Sequence, residues 1–304
     1  MFDGLDPRSH DSREREAHDP RDESLDPRDV FTRDLDLPRG LERERVHVPG
    51  HDQDYQLRGS EVRALATIGA FRVVPADELR DQHARPGDVR HGDLERLRSA
   101  GLIRTVAPLD RDGRRTVVVS LTERGRELLE SHRSRDAETF QTFYAGAVKA
   151  RELSHDAQLC RAYMRAAEKL QAHGARVERV VLDYEMKREY QKFLQERNRD
   201  RAHSDGRPDR TREEVKQWAT EHDLPVLNDR VQFPDFRIEY EHPDGRRDVE
   251  NVEVTTVHYR GTHASGKAAS GFTRFRGNTA RVGGSHTGNG SSPFDPDAAE
   301  ELLR

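Results

Sequence analysis

From residue 62 to residue 129 the apolar positions change spacing in an order that predicts a small set of elements. Val62, Leu65, Ala66 and Ile68 recur at the spacing of one helix face, with Ser60 as the expected N-cap. A second short helix is expected over 75–82 and a third from about 89 to 100, with Leu94 and Leu97 turned inward. Gly101 follows, where a helix end calls for left-handed backbone. The runs 103–108 and 116–121 are rich in β-branched residues and flank a polar stretch containing Asp112-Gly113, a dipeptide suited to tight hairpin turns. Thr122, with Arg124 and Gly125 behind it, opens another helix, expected to continue through Phe140, Phe143 and Tyr144. With Val148 these aromatics would form an i, i+3, i+4, i+8 stripe, equally suited to a dimer contact, the domain's own core or the next domain.

The polar positions of this stretch carry its chemistry. Arg111, Arg114 and Arg115 project from the hairpin tip, and the outward face of the third helix shows Arg90, His91, Arg96 and Arg98. Guanidinium and imidazole groups are the types that reach phosphates and guanine edges, although Asp93 and Glu95 on the same helix oppose a polyanion. Carried by "LERLRSAGLI", "DRDGRR" and "LTERGRELLE", the segment from about 57 to 133 resembles the MarR-type winged helix-turn-helix family. That resemblance implies a DNA-binding module whose third helix enters the major groove, whose hairpin wing lies along the backbone or minor groove, and whose flanking helices form a homodimer.

Beyond residue 154 the pattern alternates between helix and strand. A helix is expected over 154–173, capped by Ser154, with Leu159, Met164, Ala167 and Leu170 on one side and Gly174 at its end. A strand over 177–182, a charged helix from 184 to about 199, a loop over 200–210 and a helix capped by Thr211 follow. Phe236, Ile238 and Tyr240 then alternate along a strand, residues 242–245 turn it, and the return strand 252–257 sets Glu253 and Thr255 opposite its valines. A hairpin with an acid on each arm is an arrangement that suits a divalent cation.

With Asp235 first and Glu253 second, this hairpin resembles the PD-(D/E)xK nuclease-type core. The resemblance implies two carboxylates on Mg²⁺, a metal-activated water and a lysine against the phosphate. Thr255 stands where that lysine belongs and brings no charge. Lys267, in the Gly-rich stretch 264–272, is the migrated candidate, and His258 or His263 could position a phosphate instead. Winged helix followed by such a core, over about 57–275, is similar to the layout of replication-relaxation and mobilisation proteins of mobile elements.

Composition then bounds the whole. Of 304 residues only 33% are hydrophobic and 36% are charged, so much of the chain must be solvated. Residues 1–44 hold 14 Asp and Glu against 8 Arg, a balance of −6, which leaves +1 for residues 45–304 out of a net −5. That acidic stretch repeats Asp-Pro-Arg at Asp6, Asp19 and Asp26 and is expected to be disordered until about Leu41, serving solubility or competing with DNA for the basic face. It has no signal-peptide or transit character, no stretch is apolar enough to span a membrane, and a cytoplasmic protein is expected. Cys160, the single cysteine, excludes intramolecular disulfides and cysteine-based zinc sites and is expected to pack beside Tyr163, Met164 and Ala167. The 15 histidines, His155 beside Asp156 among them, match no strong zinc spacing, so no cofactor is expected beyond Mg²⁺ under the nuclease reading.

The expected organisation is therefore mixed α/β (α+β). It comprises a disordered tail (1–44), a winged-helix domain (45–150), a nuclease-like α/β domain with a small mixed sheet (151–275) and a flexible Gly/Ser-rich tail (276–304). The expected function is duplex-DNA binding by a transcriptional regulator or mobile-element accessory factor that does not cut. The alternative is a Mg²⁺-dependent nuclease using Asp235, Glu253 and Lys267, targeted by the winged helix.

Overall fold

The third Asp-Pro-Arg repeat starts the first described element. The computed structural model describes residues 26–39, 44–79, 92–111, 114–135, 140–146, 149–196, 210–255, 270–276 and 281–282. Asp26 accepts the Arg28 amide at 2.9 Å, and Pro27, with its preset φ, opens a 3-10 helix, Pro27–Thr32. Composition assigns this stretch to a disordered tail, and the structure corrects that. Phe31, Leu35 and Leu37 are buried, and the Tyr163 hydroxyl donates to the Pro27 carbonyl. Composition averages over the segment; three apolar side chains spaced along it are enough to dock it.

A hairpin of β1 (Val46–Val48) and β2 (Tyr55–Leu57) leads into α1 (Gly59–Phe71), which is buried along its whole length. The N-cap is Arg58, two residues before the expected Ser60, because the Glu61 carboxylate accepts the Arg58 amide at 3.0 Å. Then come β3 (Val74–Pro75), α2 (Ala76–Leu79), α3 (Asp93–Ser99), β4 (Ile103–Arg111), β5 (Arg114–Leu121) and α4 (Glu123–Ser131). Gly101 has φ +72°, as the helix end requires. Thr122 caps α4 by accepting the Gly125 amide at 3.0 Å, and a Cβ at Gly125 would stand 2.2 Å from the Leu102 carbonyl oxygen, so only glycine fits there.

The helix expected to run on past α4 stops at Ser131, and residues 140–146 hold no helix. Phe143 is buried against Gly69 and Leu121, and the Tyr144 amide donates to the Gly69 carbonyl at 2.8 Å. The aromatic spacing serves a strap across α1 in place of a helical stripe. Long-range backbone bonds, which periodicity does not encode, win locally.

The long helix α5 (Ala150–Ala172) begins before the expected Ser154 and gives way at Gly174, φ +76°. β6 (Arg176–Leu182), α6 (Asp183–Gln195), α7 (Arg212–Glu221), β7 (Val226–Leu227), β8 (Arg230–Val231), β9 (Phe236–Glu241), β10 (Arg247–Thr255), β11 (Thr273–Arg276) and β12 (Arg281–Val282) are the remaining described elements. Thr211 caps α7 through a reciprocal pair with Glu214, as its sequence predicts.

Among the described residues two four-stranded sheets result. The first runs β12-β4-β5-β3 and the second β11-β10-β9-β6, with β10 and β11 parallel and the other pairs of the second sheet antiparallel. Arg281 and Val282 pair with Asp110 and Leu109, so the stretch expected to be flexible beyond Arg276 contributes an edge strand to the first sheet. One face of the second sheet packs on α5 through Phe236, Ile238, Val252 and Val254. Val181 on its other face meets Met186, Trp218, Ala219 and Leu224. Phe31, Phe71 and Tyr163 touch one another and Phe71 touches Phe236, with ring centroids 5.2 to 6.5 Å apart, so one apolar core runs from the 3-10 helix to the second sheet. No helix among the described residues is long and apolar enough to cross a membrane.

Candidate functional site

The basic hairpin is β4 and β5, in register Asp110↔Arg115 and Arg111↔Arg114 at its tip. Residues 112–113 lie outside the described residues, as do Arg90 and His91. Arg96 and Arg98 are described and are engaged within the protein. Arg96 donates to Glu61 Oε1 at 2.7 Å and to the Gln56 carbonyl at 3.0 Å, and Arg98 donates to Glu95 Oε1 at 2.6 Å.

Arg96 belongs to a larger network. Glu61 and Asp93 are 0% and 2% exposed, and Arg58 reaches Asp93 at 2.9 Å while Arg45 lies 3.2 Å from Glu61 and 3.4 Å from Asp93. Two buried carboxylates among three arginines tie the β1–β2 hairpin, α1 and α3 together. Removing one member would leave a buried charge uncompensated, which makes the attitude of α3 stiff.

The second cluster forms where β9 begins. The Asp235 amide donates to the Val252 carbonyl at 3.0 Å, and Asp235 Oδ2 accepts the Val254 amide at 2.7 Å, so the carboxylate prolongs the β9–β10 ladder. The same oxygen lies 3.1 Å from His155 Nε2, and His155 Nδ1 lies 3.3 Å from Asp156 Oδ1. Burial alone would lower the His155 pKa, but the hydrogen bonds to Asp156 and Asp235 outweigh it and raise the value to about 10. His155 is thus an imidazolium donating from both nitrogens.

Asp156 Oδ2 is in turn 3.1 Å from Arg72 Nη1. Arg72 has φ +66° and ψ −49°, and the Val73 amide donates to the Phe71 carbonyl at 2.7 Å, which makes Arg72 the centre of a strained γ-turn. A chain of polar contacts therefore joins the end of α1 to the second sheet. In the sequence His155 and Asp156 are visible only as a neighbouring pair; Arg72 and the tie to Asp235 have no local signal.

Asp235 and Glu253 are buried, 7% and 1% exposed, on adjacent strands. The Thr255 hydroxyl donates to the Phe275 carbonyl at 3.2 Å, so it spans two strands. Lys267, His258 and His263 lie outside the described residues. Among the described residues no group of three His, Cys, Asp or Glu is arranged to hold a metal ion. Asp235 Oδ2 is already taken by the Val254 amide and faces the His155 imidazolium. Cys160 is buried, and burial pushes its thiol pKa up, which marks it as packing.

Comparison of the chain with protein-family models, with curated proteins and with solved structures finds no match.

Proposed function

We propose that this chain is a duplex-DNA-binding protein of the winged helix-turn-helix kind. It acts as a transcriptional regulator or mobile-element accessory factor, and its second sheet serves binding or assembly. The observation that carries the reading is the β4–β5 hairpin. It follows α1, β3, α2 and α3 in the order of winged-helix parts and brings Arg111, Arg114 and Arg115 to one tip. Three arginines at a hairpin end suit a phosphate backbone, because each neutralised phosphate releases counterions. Affinity for any duplex should then fall as salt rises. Arg114→Ala with Arg115→Ala should weaken binding uniformly across sequences and reduce the salt slope by about 2 in a fluorescence-anisotropy titration. Absence of binding to every duplex at low salt overturns the reading.

A second reading is Mg²⁺-dependent cleavage. It is favoured by the succession of α5, β6, β9, β10 and β11 with Asp235 and Glu253 on neighbouring strands, an order that resembles the PD-(D/E)xK core. Thr255 in place of lysine and the imidazolium on Asp235 weigh against it. Supercoiled plasmid with Mg²⁺ or Mn²⁺ should stay intact. Nicking that disappears in Asp235→Ala and in Glu253→Ala would replace the non-cutting reading with this one.

A further inference from the structure

The edge strand β11 carries the charge that Thr255 lacks. It pairs in parallel with β10 in the register Glu253↔Arg274, Val254↔Phe275 and Thr255↔Arg276. Residues in register lie side by side, and alternate residues share a face. Phe275 packs toward α5 with Val252 and Val254, under the Arg165 guanidinium 5.2 Å from its ring. Arg274 and Arg276 therefore share the opposite face with Glu253 and Thr255, and both are exposed. Glu253 is 1% exposed, so its carboxylate is withheld from a polyanion that meets the arginines.

The path of the chain supplies a second observation. It leaves β11 at Arg276, and by Arg281 it is paired with β4, Arg281↔Asp110, beside the basic hairpin. Five residue steps span at most about 18 Å. One turn of B-DNA is about 34 Å long, so a duplex segment shorter than a turn reaches both places.

We propose that Arg274 and Arg276 form a phosphodiester-binding site on the second sheet, extending duplex contact beyond the β4–β5 hairpin. The inference rests on the DNA-binding reading above and deepens it, since it assigns the second sheet a direct part in holding the backbone. Guanidinium groups suit this role because they engage phosphate oxygens two at a time.

The test uses the full chain and a labelled mixed-sequence duplex about three helical turns long, titrated by anisotropy at several salt concentrations. Arg274→Ala with Arg276→Ala should bind about tenfold more weakly, with the salt slope reduced by about 2 and thermal unfolding unchanged. Arg274→Lys with Arg276→Lys should keep the slope. Should the alanine pair fail to fold, Arg274→Gln with Arg276→Gln gives the same comparison at nearly full side-chain length. An unaltered affinity and slope, with Arg114→Ala and Arg115→Ala still weakening binding, overturns the site and leaves the DNA-binding reading standing. A wild-type chain that binds no duplex overturns both.

Discussion

His155 bridges two carboxylates that are 79 residues apart in the chain, Asp156 and Asp235, and its charge holds α5 against the start of β9. Its pKa is raised in the folded protein to about 10, while an unfolded histidine titrates near 6.5. The stabilisation is therefore complete below about pH 6.5, declines above it and is gone once pH passes about 10. Chemical denaturation at a series of pH values should show wild type losing stability from neutral to alkaline pH relative to His155→Ala, which lacks this dependence. At pH 6 the variant should be less stable by about 3 kcal/mol, since it leaves Asp235 without its cation. An NMR titration with the His155 ring signal moving near pH 6.5 would contradict the bridge. In the sequence His155 and Asp156 stand out only as neighbours; Asp235 enters their company because the sheet delivers it there.

At the scale of elements, local chemistry is legible and edges are not. Thr122 and Thr211 cap their helices, Gly101 and Gly174 end theirs, and Phe236, Ile238 and Tyr240 alternate as their spacing predicts. These depend on neighbours a few residues away. The treatment of the β6 edge does not. Gln141 Oε1 accepts the Val180 amide at 3.0 Å and its Nε2 donates to the Val180 carbonyl at 2.9 Å, so one side-chain amide stands in for a strand. Arg33 takes the Val177 and Glu178 carbonyls at 3.3 and 3.0 Å, beside the bulge between Val177 and Arg179. An exposed edge invites pairing with another chain, and these contacts blunt it. Gln141→Leu should cost about 1–3 kcal/mol in urea unfolding, because it orphans a buried donor and a buried acceptor. It should also raise self-association in light scattering; a change below about 0.5 kcal/mol would show the edge to be solvated.

Across the whole molecule, α5 packs on both sheets and the aromatic series from Phe31 to Phe236 makes their cores one. Trp218, the single tryptophan, sits with Tyr190 and Phe193 on the far side of the second sheet. Its fluorescence and far-UV circular dichroism should report one coincident unfolding transition. Phe31→Ala should lower stability in both signals together by about 3–5 kcal/mol; separate transitions would mean that the sheets fold apart. The sequence by itself determined the bodies of α1, α3, α5, α6 and α7, the strands β4, β5, β6 and β9, the caps at Thr122 and Thr211, the basic hairpin and the pair Asp235 and Glu253, because each is written in spacing or in residues close along the chain. Only the tertiary structure decided that residues 27–37 dock, that residues 140–146 strap α1, that Arg72 and His155 tie α1 to Asp235, and that Arg276 lies beside Thr255. Those outcomes depend on strand register and long-range burial, where partners far apart in sequence meet and the local pattern carries no mark of them.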